Sequence, residues 1–337
     1  MKITTTLLVL ALVGLAITTQ SHAETRYVDQ RYGPGGNGST NAPYNTIQAA
    51  INTLFCDVVI VMPGTYSENL VINKHLKLYG YDGPHTTRVE GSNGGTNTIT
   101  IASGFNVTIE GLNISSGRHG VSQPSLGTLR LRNCIFSSNQ LSGTYIATDR
   151  YTWPVVCIYN CIYVANGSSG IFVHENNNYP YYSPDLNVLN TVFLRNGTYA
   201  IESDNMSPSS NFGGRIVHNY NDAVDNAQGQ YSANFLALNP PGANSFSLTP
   251  EFVGGDTIAC QDFRLLPSSP CKDTGDPGIG FLDPDGTRND IGAYGGPGAQ
   301  TFYTYPNDGP IVRSVTIDQG MVPKGSTFTI RATGAVR

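Results

Sequence analysis

The 337-residue chain reads as an all-β solenoid, a polypeptide wound into stacked coils, and three observations predict it. A seven-residue pattern recurs as Asn133-Cys134-Ile135-Phe136-Ser137-Ser138-Asn139, Asn160-Cys161-Ile162-Tyr163-Val164-Ala165-Asn166 and Asn190-Thr191-Val192-Phe193-Leu194-Arg195-Asn196, with starts 27 and then 30 residues apart. Charged residues are only 13% of the chain while glycine alone numbers 38, which suits turns built from small polar residues rather than a helical protein. Short apolar runs recur between turn signals such as Pro63-Gly64, Asn73-Lys74 and Ser103-Gly104.

The elements follow in order. Residues 1–23 have the make-up of a secretory signal: Lys2, an apolar stretch from Leu7 to Ile17 too short to span a bilayer, and Ser21-His22-Ala23 as a small-residue cleavage site. Export is therefore expected, to the extracellular space, the periplasm or the cell surface. No later stretch predicts a transmembrane helix. Loss of Lys2 leaves 18 basic and 24 acidic residues, a net charge of −6, which argues against nucleic acid as a partner.

Residues 24–300 are expected to form the solenoid. After a strand at 26–28, a helix is predicted from Thr46 to Leu54, with Asn45 or Thr46 as cap and Ile47, Ala50, Ile51 and Leu54 on one face. It would close the open end of the first coil. Strands are predicted at 58–61, 70–72, 76–79, 98–101, 107–110 and 112–114. Aligning the repeats pairs Val107/Ile109 with Leu129/Leu131, Val156/Ile158 and Leu186/Val188, one inward-facing strand per coil.

Asn133, Asn160 and Asn190 fall at corners, where stacked amides can satisfy turn backbone. Asn139, Asn166 and Asn196 form a second column, and Gly167 and Gly197 are expected to supply a left-handed turn. The sequons at Asn166 and Asn196 read as structural. Cys134 and Cys161 are expected to stack as buried thiols, and Cys260 and Cys271 are the best disulfide candidates. Residues 301–337 read as a linker and an incomplete β-sandwich start, with strands at 309–315 and 326–330.

Thr46-Ile47-Gln48-Ala49-Ala50-Ile51, Val61-Met62-Pro63-Gly64-Thr65-Tyr66 and Leu76-Lys77-Leu78-Tyr79-Gly80 resemble the opening coils of the pectin-lyase-like right-handed parallel β-helix superfamily. Segments Asp262-Phe263-Arg264-Leu265 and Ser269-Pro270-Cys271-Lys272-Asp273-Thr274-Gly275, and the stretch from Asp283 to Gly296, resemble the closing region of its secreted bacterial members, many without assigned activity. The resemblance implies a right-handed parallel β-helix over most of residues 26–298. It carries over no catalytic residue: Arg118-His119-Gly120 lacks the nearby carboxylate pair of polygalacturonase-like members, and no lysine lies in the middle coils.

Candidate chemistry concentrates between the repeats. Aligning Asn160 with Asn190 sets His174 opposite Asp204, with Glu175 one step on and Glu202 two residues before Asp204, a candidate acid/base constellation. Two long loops leave the same region. One, 140–154, carries Tyr145, Asp149, Arg150, Tyr151 and Trp153; the other, 176–185, carries Tyr179, Tyr181 and Tyr182. Aromatic faces beside carboxylates suit a sugar ring, although tyrosines also cover exposed coil. Asp283, Asp285 and Asp290 offer oxygen ligands for calcium, or a side-chain-to-backbone turn that closes the last coil.

Two functions follow from different classes. In one, an exported protein binds, and in its catalytic form cleaves, a polysaccharide or cell-surface glycan as a lyase or glycoside hydrolase. In the other, the solenoid is a non-catalytic surface or matrix scaffold or adhesin.

Overall fold

The computed structural model describes residues 24–92, 95–124, 126–149, 152, 154–174, 184–204, 215–257, 261–299, 311–317 and 330–335. The chain is a right-handed parallel β-helix built from three sheets. Each full coil adds one strand to every sheet, so the single strand per coil of the sequence reading becomes three. The first sheet has eight strands, from Glu24–Val28 to Ile216–Asn219. The second has seven, from Gly64–Ser67 to Asp222–Val224, and the third seven, from Leu70–Ile72 to Gly229–Tyr231.

The first sheet has the register expected from the repeats. Leu129 lies between Val107 and Val156, Leu131 between Ile109 and Ile158, and Val156 and Ile158 pair with Leu186 and Val188. All eight are buried, so alternation of apolar and polar residues orients the whole sheet. The second sheet behaves differently. Its three-residue strands Ile135–Ser137, Ile162–Val164 and Val192–Leu194 are buried at every position. Phe136, Tyr163 and Phe193 stack along the interior, with ring centroids 4.6 and 5.1 Å apart and planes within 11°. Ile162, Val164, Val192 and Leu194 pack outward against Phe252, Phe263, Ile291 and Ala293 of a C-terminal strap.

The opening helix spans Ile47–Ile51, with Thr46 as its N-cap. Ile47, Ala50 and Ile51 are buried as expected, but Leu54 lies beyond the helix and is 78% exposed. Asn52 ends the helix, and Phe55 turns the chain with φ 61° into the next strand. The Glu68 carboxylate accepts from the N–H groups of Ile47 and Gln48, satisfying two of the helix's free donors.

The two asparagine columns do different work. Asn139, Asn166, Asn196 and Asn226 form a buried amide ladder, each Nδ2 donating to the next Oδ1 at 2.8–2.9 Å. The left-handed residues there are Ser138, Ala165, Arg195 and Asp225 just before each asparagine, not Gly167 and Gly197. Those glycines serve close approach: a Cβ on either would lie 2.2 Å from a backbone oxygen of the preceding coil. Asn133, Asn160 and Asn190 sit at the expected corners, with left-handed backbone, but among the described residues no amide hydrogen bond joins one to the next. They hold the strap. Asn133 Nδ2 donates to the carbonyls of Ala293 and Gly295, and Asn160 Nδ2 to those of Asp290 and Gly292. Asn190 Oδ1 accepts from the Asp276 N–H.

Cys134 and Cys161 are buried free thiols. Cys271 is also a free buried thiol, which corrects its expected disulfide: its Sγ faces Asp222 Oδ2 at 3.3 Å, and its expected partner Cys260 lies outside the described residues. Strands Ile311–Ile317 and Ile330–Ala335 pair antiparallel, unlike the parallel coils.

Candidate functional site

The third sheet turns its outer face to solvent, and register places Ser122, Tyr145, Phe172 and Glu202 on consecutive rungs of it. Their strands alternate buried and half-buried positions, so these side chains point outward while Val121, Ile146, Val173 and Ile201 fill the interior. Tyr145 lies 6.0 Å from Phe172, with ring planes 14° apart. It also lies 5.9 Å from His174 at 24°, so three rings form one low aromatic platform.

His119 supports that platform from the preceding coil. Its ring centroid is 4.8 Å from that of Tyr145, and its Nδ1 accepts from the Ser142 N–H and faces the Ser142 hydroxyl at 2.6 Å. Burial, and then the charge of Arg118, lowers the His119 pKa to about 4, so it is a neutral support. Burial also raises the Tyr145 pKa, with the Asp204 carboxylate adding to the rise.

At the end of the platform, His174 and Asp204 meet across one rung, Nδ1 to Oδ2, as the repeat alignment predicted. A carboxylate only accepts, so His174 donates from Nδ1, and its neutral form then carries a lone pair on Nε2. Among the described residues nothing bonds to that Nε2. Both side chains remain partly open to solvent, at 38% and 27%. An imidazole oriented by a carboxylate, with its far nitrogen open, can take a proton from water or from a carbon acid. Glu202 stands one rung from Phe172, and its Oε2 accepts from the Thr198 hydroxyl at 2.7 Å.

Asp149 caps a local turn, accepting from the Thr152 N–H at 3.0 Å. Arg150, Tyr151, Trp153, Glu175, Tyr179, Tyr181 and Tyr182 lie outside the described residues. The structure therefore brings together Tyr145, His174, Glu202 and Asp204. It adds Phe172, absent from the sequence reading, and His119, named there only in a motif without its carboxylate pair. Phe172 was legible in principle, since it aligns with Tyr145 one coil earlier.

The second constellation changes membership. Asp273, Asp283 and Asp290 each offer a carboxylate oxygen within 4.8 Å of the others. Asp285 is not among them: its Oδ1 accepts from the N–H and hydroxyl of Thr287 in its own tight turn. Asp283 accepts from the N–H groups of Asp290 and Gly296, and Asp290 from that of Asp273, so backbone donors already engage these carboxylates. Burial pushes the Asp283 pKa up to about 8, with Asp290 adding to it, and that of Asp290 up to about 6.

No protein-family model matches the chain, and no curated protein matches it in sequence. Among solved structures, it is similar to the pectin methylesterase from Aspergillus niger in deglycosylated form, with 14% identity and a TM-score of 0.38 over 74% of this chain and 92% of that one. It is also similar to a pectin methylesterase mutant in complex with hexasaccharide IV, with 12% identity and a TM-score of 0.35 over 61% and 80% of the two chains. A pectin methylesterase in complex with hexasaccharide VII gives 13% identity and a TM-score of 0.34 over the same shares. The fold assignment rests on the coil geometry above. Among the described residues, no helix is long and apolar enough to cross a membrane.

Proposed function

We propose that this is an exported protein that binds extracellular polysaccharide along the outer face of its third sheet and uses His174 as a base oriented by Asp204. The observation that carries the reading is the continuous platform of Tyr145, Phe172 and His174 ending in the His174–Asp204 hydrogen bond. Flat rings take the apolar C–H face of a sugar, and the carboxylates of Glu202 and Asp204 accept from its hydroxyls. A chain lying across successive rungs would set one sugar against the imidazole, where proton abstraction serves a lyase and water activation a hydrolase. Calcium at Asp273, Asp283 and Asp290 is an accessory part of this proposal, holding the strap rather than the sugar.

The test is a glycan array with wild type and Tyr145→Ala, run beside assays for unsaturated products and for reducing ends. Binding that Tyr145→Ala weakens about fivefold supports the platform, and turnover that His174→Ala abolishes supports the base. Silence on the array with intact folding selects the scaffold or adhesin reading.

A further inference from the structure

The rings of the platform fit any pyranose, but the charges around them differ from end to end. The strand Tyr199–Ser203 carries Glu202 on the rung after Phe172, and Asp204 follows directly, bonded to His174. Two carboxylates therefore stand at one end of the aromatic face. The Thr198 hydroxyl holds Glu202 Oε2 at 2.7 Å, while Oε1 has no partner among the described residues.

A cation marks the other end. Arg118 is exposed, in the bend before the strand Val121–Gln123 and beside His119. The Tyr145 hydroxyl feels both ends: after burial, the Asp204 carboxylate raises its pKa, and the Arg118 charge lowers it. Register sets Tyr145, Phe172 and Glu202 one rung apart, so this stretch spans roughly 10 Å.

That asymmetry discriminates between sugar polymers. A uronic-acid polymer would bring its carboxylates against Glu202 and Asp204, in a chain whose net charge is already −5, and like charges at that range repel. A neutral polymer gains only the ring contacts and ordinary hydrogen bonds. A polymer bearing ammonium groups gains more: Glu202 Oε1 can accept a charge-assisted hydrogen bond, and the faces of Tyr145 and Phe172 attract a cation.

We propose that the platform selects a polysaccharide of amino sugars, with ammonium groups towards Glu202 and C–H faces on Tyr145 and Phe172. The proposal rests on the polysaccharide reading above, narrows it to one charge class and makes Glu202 the residue that sets specificity.

The experiment is calorimetric titration of the intact protein, in mildly acidic buffer, with a glucosamine tetramer, its N-acetylated counterpart, a galacturonate tetramer and a lysine tetrapeptide. The glucosamine tetramer is expected to bind at least about fivefold tighter than the N-acetylated one, with galacturonate weakest. Added salt should shrink that preference. Glu202→Gln should weaken the glucosamine tetramer about fivefold and the N-acetylated one less. Arg118→Gln should tighten the glucosamine tetramer about twofold, where an acidic polymer would be weakened. Equal affinity for the two glucosamine forms, with both weakened by Tyr145→Ala, overturns the proposal and leaves the platform standing. Tightest binding of galacturonate, or a lysine peptide bound as tightly as the glucosamine tetramer, also overturns it. Glucosamine binding indifferent to Tyr145→Ala removes the platform itself.

Discussion

His174 and Asp204 come from coils 30 residues apart and share a hydrogen bond across one rung, with nothing bonded to the imidazole Nε2 among the described residues. Asp204→Asn keeps the shape but removes the acceptor that orients the base. In the polysaccharide-cleaving form of the proposed function, it is expected to lower turnover about 10²- to 10⁴-fold while glycan affinity stays within about twofold. Equal losses in binding and turnover would remove His174 from the chemistry.

Tyr145→Ala deletes the central ring of the platform, a half-buried side chain whose loss costs the fold little. Glycan affinity is expected to drop by about 1 kcal/mol, roughly fivefold, without a cooperative change in melting. Array titration beside a thermal scan separates the two effects.

Asn166→Ala strikes the interior of the amide ladder. Its side chain accepts from the Asn139 N–H and Nδ2 and donates to Asn196 Oδ1 and the Phe136 carbonyl. Several buried groups are then left unsatisfied, and urea unfolding should show a loss of about 3–5 kcal/mol. Asn226→Ala, at the end of the ladder, should cost less.

Stability should fall as pH rises from about 6.5 to about 8. Burial raises Asp222 to about 7 and Asp283 to about 8, above the usual carboxylate value near 4. In that window the folded protein holds protons that the unfolded chain has released, so stability present at lower pH is lost as pH passes through the folded values. Below about 6.5 the buried histidines, His119 and His218, pull the other way, because burial lowers their pKa. Melting temperature checks the slope, which Asp283→Asn should flatten most, because Asp222 with its folded value near 7 acts mainly at the lower edge of the window. Calcium at a few millimolar should raise the melting temperature at pH 8.5, where Asp283 ionises, more than at pH 6. A titration with no rise at either pH removes the ion from the account.

The parts legible in the sequence share one property, a strict period. Val107/Ile109 through Leu186/Val188 alternate with outward residues, so pairing on that pattern set the first sheet's register and also brought His174 to Asp204. The second sheet has no such alternation: Ile135, Phe136 and Ser137 are all buried because the coil covers one face and the strap the other. The closing segment was visible, but its packing over the second sheet was not, because Phe252, Phe263 and Ile291 are sparse and aperiodic. The turn glycines misled for a physical reason, since a left-handed backbone was taken by Ser138, Ala165 and Arg195 while glycine was needed for room. Asp273 replaced Asp285 in the acidic cluster because spacing along a chain does not reveal which carboxylate a tight turn consumes.

The strap has a consequence for how this solenoid can change length. Its segment from Asp290 to Gly295 is tied to Asn160 and Asn133, one corner per coil, and Asp276 to Asn190. The strap is thus a ruler with marks at coil spacing, laid over the middle coils. Duplicating or deleting a coil between Asn133 and Asn190 would throw those marks out of step and uncover Ile162 and Val192. Among the described residues, coils nearer the N-terminus carry no such asparagine ties to the strap. Variation in coil number is therefore expected at the N-terminal end, while the middle coils beneath the His174–Asp204 platform are held at a fixed count.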